Sequence, residues 1–223
     1  GDGTSGVVGR AAPDIFGASD TQWTSFAGDL IVGGGARAHV AARGGQTLTV
    51  GGDVHIDASR NFAFSSGPTF DAVAGEALLY AEGGGTLTVA GSAHVRANGT
   101  GGINFETNAA GSGTRGTALV FANSSGTVDI AQNAVIEAIG QGGVSEGLPS
   151  QGGAGTGGFA RMFAQNGGAV TVQGNAGLDA SGAVGRADRQ HAIHPRQAEY
   201  DGIQRRKRAA RERCACPARH DPD

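Results

Sequence analysis

The sequence predicts an all-β chain wound as a parallel β-helix, a β-solenoid with Gly-rich corner loops. Three observations predict it: a unit of about forty residues that recurs, strict two-residue alternation inside each short element, and glycine between elements. The recurrence is plain once four segments are superposed. Thr47-Leu48-Thr49-Val50 is followed by Val54-His55-Ile56-Asp57-Ala58, and Thr86-Leu87-Thr88-Val89 by Ala93-His94-Val95-Arg96-Ala97. Thr127-Val128-Asp129-Ile130 precedes Ala134-Val135-Ile136-Glu137-Ala138, and Ala169-Val170-Thr171-Val172 precedes Ala176-Gly177-Leu178-Asp179-Ala180. The equivalent positions Leu48, Leu87, Val128 and Val170 are spaced by 39, 41 and 42 residues.

Within each unit one parity is apolar and the other polar, as in a strand with one buried face. Leu48, Val50, Val54, Ile56 and Ala58 fall on the inner parity, whereas Thr47, Thr49, His55 and Asp57 fall on the outer one. Later units repeat this with Leu87, Val89, Ala93, Val95 and Ala97, then Val128, Ile130, Ala134, Ile136 and Ala138. A third element lies upstream in all units but the first: Ala77–Ala81, Ala118–Ala122 and Ala160–Ala164. A shorter copy runs from Leu30-Ile31-Val32 to His39-Val40-Ala41-Ala42, about one coil before Leu48, which gives a period of two coils of roughly twenty residues. The excursions 60–75, 98–116 and 140–158 vary in length while the strands do not, so they read as loops projecting from the corners. Helix is poorly supported in 1–185, because glycine interrupts every window of helical length, and the fixed period with constant parity argues against the alternative of an antiparallel sandwich or barrel. Residues 1–27, with Trp23, fit no repeat and form an irregular segment or partial coil; the repeats fill 28–185.

The chain of 223 residues holds 42 Gly but 17% charged residues, against roughly 25% in an ordinary domain. Its one Met is Met162, so Gly1 reads as the start of an internal or processed fragment. No apolar run of about 18 residues is present to span a bilayer as a helix. Charge divides the chain in two. Residues 1–185 carry 7 basic and 14 acidic residues, no Lys and no Cys, whereas 186–223 carry 10 basic and 6 acidic residues and both cysteines. The tail, with Arg205-Arg206-Lys207-Arg208 and Cys214-Ala215-Cys216, breaks off in mid-repeat and reads as a shifted reading frame or a disordered, partly helical basic segment. Nucleic acid is not an expected partner, and one Cys pair alone makes no zinc site.

The runs "GGGTLTVAGSAHVRANGTGG" and "GGAVTVQGNAGLDASGAVG", with "GEALLYAEGG" and "GTALVFANSSG", resemble the passenger repeats of filamentous-haemagglutinin-like and autotransporter adhesins over residues 28–185. The resemblance implies a right-handed parallel β-helix exported to the bacterial cell surface, outside the outer membrane. It implies an adhesive, structural segment rather than an enzyme, with host glycans, cell-surface receptors or copies of itself as partners. An outer-membrane translocator is not in this fragment.

Chemistry-bearing residues are few. The column His55, His94, Val135, Gly177, with His39 in the matching place of the short copy, invites a metal. At two coils its members stand about 10 Å apart, too far to share an ion, so neither metal nor cofactor is expected. Polysaccharide-cleaving β-helix enzymes gather carboxylates on adjacent coils of one face; in the column Asp57, Arg96, Glu137, Asp179 an Arg and a two-coil step separate the acids, which leaves a lyase or hydrolase as the alternative reading. Tyr80, Phe121 and Phe163 form an outward aromatic column, a candidate ligand contact. The plainer expectation is that Phe62, Phe64, Phe70 and Phe105 of the loops fold over it.

Overall fold

A computed structural model of the chain describes residues 6–8, 14–17, 25–33, 36–62, 64–65, 71–104, 110–145 and 152–185. The chain divides into two units, Gly1–Asp188 and Arg189–Asp223, and every described residue belongs to the first. The basic tail with its expected helix, like Trp23, therefore lies outside the described residues.

Among the described residues every regular element is a strand, and every strand pairing is parallel. Six sheets result. Sheet 1 stacks Asp14–Gly17, Arg37–Arg43, Glu76–Glu82, Thr117–Asn123 and Phe159–Ala164. Sheet 2 stacks Ser25–Phe26, Thr47–Val50, Thr86–Val89, Thr127–Ile130 and Ala169–Val172. Sheet 3 stacks Gly6–Val8, Leu30–Gly33, Val54–Asp57, Ala93–Arg96, Ala134–Glu137 and Ala176–Asp179. Sheet 4 holds Arg60–Asn61, Gly99–Thr100, Gly140–Gln141 and Gly182–Ala183; sheet 5 holds Phe64–Ser65 and Ile103–Asn104; sheet 6 holds Ala72–Val73, Gly113–Thr114 and Gly155–Thr156. From Arg37 onward each pass of the chain runs through sheets 1, 2, 3 and 4, and then by way of sheet 6 back to sheet 1.

The register corrects the expected period. Leu48 pairs directly with Leu87, Leu87 with Val128, and Val128 with Val170. One forty-residue unit is therefore one pass, not two. The residues assigned to a second coil are the strands of sheets 4, 5 and 6, so the stems of the Gly-rich excursions are ladders rather than projecting loops. Among the described residues the earlier passes carry none of those strands, and they are shorter: Leu30 pairs with Val54 and Ser25 with Thr49, 24 residues on. Leu30–Gly33 thus belongs beside Val54, and Arg37–Arg43 supplies the third element that the first unit was expected to lack. Strands at 6–8, 14–17 and 25–26 carry sheets 1 to 3 into the N-terminal segment.

The core lies among sheets 1, 2 and 3 and uses the expected parity. Leu48, Val50, Val54, Leu79, Leu87, Val89, Val120, Ile130 and Ile136 are all fully buried, with Ala at the flanks. Each fully buried Leu, Ile or Val contributes about 1.5–3 kcal/mol. Turns between sheets 1 and 2 place two successive residues in the left-handed region: Gly44-Gly45, Gly83-Gly84, Ser124-Ser125 and Asn166-Gly167. Between sheets 2 and 3 the side chain of one pass caps the backbone of the next. Asp29 Oδ1 accepts from the Asp53 amide (2.8 Å), Asp53 Oδ1 from Ser92 (2.7 Å), and Asn133 Oδ1 from Asn175 (2.9 Å). These oxygens occupy the space that a Cβ on Gly52, Gly91 or Gly174 would need.

Sheets 4 and 6 meet by other means. A Cβ on Gly99, Gly113, Gly140 or Gly155 would overlap a carbonyl oxygen of the facing strand, so backbone packs on backbone. Hydrogen bonds then zigzag between the two layers. Gly111 donates to Gly102 (3.2 Å), Gly143 to Gly111 (2.8 Å), Gly153 to Gly143 (2.9 Å) and Gly185 to Gly153 (2.9 Å).

Candidate ligand-contact strip

The outer face of sheet 1 carries the aromatic column. Direct pairing of Tyr80 with Phe121, and of Phe121 with Phe163, sets the rings one pass apart rather than the two expected. Successive strands lie about 4.8 Å apart, within the roughly 4.5–7 Å between ring centroids of offset-stacked aromatic pairs. The rings accordingly stack at 4.7 Å and 6° between Tyr80 and Phe121, and at 5.2 Å and 4° between Phe121 and Phe163. Stacking turns the ring faces toward one another and the ring edges outward. The strip is thus an apolar ridge rather than a set of open faces.

Ala41, Leu78 and Tyr80 are buried beside half-buried Leu119 and Phe121, so the ridge is closed at its first passes and opens toward Phe163. Tyr80 is 3% exposed and takes the Arg43 guanidinium over its ring at 4.9 Å. Charged pairs frame the ridge at both strand ends. Arg37 and His39 meet Glu76 at 3.5 and 3.2 Å on one side, and Arg43 meets Glu82 at 2.7 Å on the other. Composition gave no hint of this frame; its signal was the equal offset of Arg37 from Glu76 and of Arg43 from Glu82. Of the aromatics expected to cover the column, Phe62 sits under the Arg60 guanidinium at 5.3 Å. Phe70, Phe105 and the side chain of Phe64 lie outside the described residues.

The outer face of sheet 3 carries the histidines and carboxylates. Ile31 is the partner of His55, so His39 does not belong to this column; it lies on sheet 1 beside Leu78. His55 and His94 are direct neighbours whose rings stack at 4.9 Å and 12°, half the expected separation. Near-parallel ring planes point their in-plane nitrogen lone pairs side by side, not at one ion. Among the described residues no three His, Cys, Asp or Glu side chains converge on a metal position. Burial holds the His94 pKa below 6.5, helped by His55 and Arg96 and opposed by Asp53 and Glu137. A shallow cleft of about 160 Å³ opens beside the pair, lined by Ile31, Gly33, His55, Asp57, His94 and Arg96.

The acidic column is likewise tighter than expected. Asp57 pairs with Arg96, Arg96 with Glu137, and Glu137 with Asp179, each one pass apart. Arg96 Nε holds Glu137 Oε2 at 3.0 Å, and Asn98 Nδ2 donates to the same oxygen at 3.4 Å. Asp57 and Asp179 each accept a backbone amide two residues on, from Ser59 (2.8 Å) and Ser181 (2.9 Å). These contacts tie the acids to local structure.

The fold so described defines a class: an all-strand protein of in-register parallel sheets, repeated along the chain. Comparison of the chain with protein-family models, with curated proteins and with solved structures returns no match.

Proposed function

We propose that residues 28–185 form a right-handed parallel β-helix that serves as a structural and adhesive passenger segment of a large secreted bacterial surface protein. The observation that carries this reading is the framed aromatic ridge, repeated in register along one face. Its half-buried end, Leu119, Phe121 and Phe163, offers apolar edge beside polar side chains, which suits the mixed surface of a host glycan or receptor. In-register parallel passes supply the stiffness that a stalk requires. The test is binding of the labelled chain to a glycan panel and to host cells. The double substitution Phe121→Ser/Phe163→Ser should cut binding at least tenfold while leaving the β-type circular dichroism intact. Equal binding by the variant contradicts the assignment of the ridge.

A second reading, a polysaccharide lyase or hydrolase, draws on the single-pass spacing of Glu137 and Asp179. One pass is about 4.8 Å, close to the roughly 5 Å between the carboxyls of retaining glycosidases. It predicts cleavage products from a polysaccharide panel that disappear in Glu137→Gln; the adhesive reading predicts no product from either chain.

A further inference from the structure

Two adjacent columns on the outer face of sheet 3 build the shallow cleft. One runs Ile31, His55, His94; the other, two residues on, runs Gly33, Asp57, Arg96, all in register. Strands about 4.8 Å apart, with residues about 3.3 Å apart along each, give the cleft a floor of roughly 10 Å by 7 Å. Its depth comes from Gly33. A Cβ there would meet nothing nearer than the Asp57 carbonyl oxygen at 4.0 Å, so this column has a gap where its neighbour has Ile31. The cleft lies inside its sheet, with Gly6–Val8 paired on one side and Ala134–Glu137 on the other.

The lining combines three kinds of contact. Ile31, 45% exposed, is an apolar wall. Asp57 accepts from the Ser59 amide at 2.8 Å with one oxygen, and a carboxylate has about four acceptor sites in all. Arg96 directs Nε to Glu137 at 3.0 Å, and its other guanidinium N–H groups are further donors. At neutral pH the His94 ring is uncharged, because burial, then His55 and Arg96, lower its pKa. A neutral imidazole supplies one donor and one acceptor.

A sugar ring presents the complement: an apolar C–H face, and hydroxyls that both donate and accept. Charge selects among sugars. Glu137 already matches Arg96, so a ligand carboxylate would be repelled by Asp57 with little gain from Arg96. An ammonium would be repelled by Arg96. Size selects too. A volume of about 160 Å³ is about half of the roughly 300 Å³ at which pockets for drug-sized ligands begin, which limits the occupant to a single ring.

We propose that this cleft binds one uncharged hexose unit of a glycan, at a site separate from the aromatic ridge of sheet 1.

The full chain at neutral pH should be titrated with methyl β-galactoside, methyl β-glucoside and methyl α-mannoside. At least one should shift the ring resonances of His55 and His94 saturably, with a dissociation constant of about 1 mM, the scale for a ligand of about a dozen heavy atoms. Glucuronate and glucosamine should bind at least fivefold more weakly. Gly33→Val fills the gap with a side chain that suits a strand, and should weaken binding at least tenfold at an unchanged melting temperature. Asp57→Asn keeps an oxygen for the Ser59 amide and should weaken binding at least tenfold as well. No saturable shift with any of the three glycosides, a charged sugar bound as tightly as the best of them, or parental affinity in either variant would overturn the proposal.

Discussion

Two regions of this chain build the same kind of parallel ladder by opposite means. Sheets 1 to 3 are held apart by side chains and close around Leu, Ile, Val and Ala, all removed from water. Sheets 4 and 6 meet through Gly99, Gly113, Gly140 and Gly155; backbone touches backbone there, and glycine amides bond across the layers. The first region gains stability from apolar burial, which is tolerant of modest change in shape. The second depends on the absence of atoms. A methyl group is a small loss in one and an obstruction in the other.

The largest effect should therefore come from hollowing the first region. Leu87→Ala, at a fully buried position, should cost about 2–5 kcal/mol and lower the melting temperature of the whole stack. In the second region Gly113→Ala adds a carbon that meets carbonyl oxygens of Gln141 and Gly99. Overpacking of this kind costs about 1–3 kcal/mol. Its signature should be local: hydrogen exchange should quicken at Gly101, Gly111 and Gly143 before it quickens at Leu87. Uniform loss of protection in both variants would erase the distinction between the regions.

A turn provides a gain instead of a loss. Ser124 and Ser125 occupy φ of 50° and 62°, where the preceding passes use Gly-Gly. Left-handed backbone costs a non-glycine residue about 1–2 kcal/mol. Ser124→Gly/Ser125→Gly should raise the denaturant midpoint, by less than the summed cost because glycine also frees the unfolded chain. The smallest effect concerns pH. His94 has a folded pKa held below 6.5, so above that value both folded and unfolded states are neutral there. As pH falls through 6.5 the unfolded chain takes up the proton first, and stability is lost. His94→Gln should flatten this part of the stability profile, whereas an unchanged slope would mean that other groups govern it.

Sequence reasoning reached the first region and missed the second for one physical reason. Alternation betrays a strand only where side chains differ between faces. Leu48-Thr49-Val50 and Val54-His55-Ile56 show it, and these positions are inner and outer as expected. Gly99–Thr100, Gly113–Thr114 and Gly140–Gln141 have no such contrast, so strands there read as loops. The unseen strands then made one pass look like two, which doubled every distance between Tyr80 and Phe121, or His55 and His94. The aromatic column itself was legible, because Tyr80, Phe121 and Phe163 share a parity and an offset. Its edge-out stacking follows from the single-pass register, which parity alone does not reveal.

Every distance between passes depends on one repeat advancing the stack by one strand. Dipolar EPR between nitroxides at Thr47→Cys and Ala169→Cys, with Cys214 and Cys216 replaced by serine, probes that advance without intermediaries. These positions are three strands apart in sheet 2. At about 4.8 Å per strand their backbones should lie about 14 Å apart. A separation near 29 Å, the value for two coils per repeat, would contradict the single-strand advance.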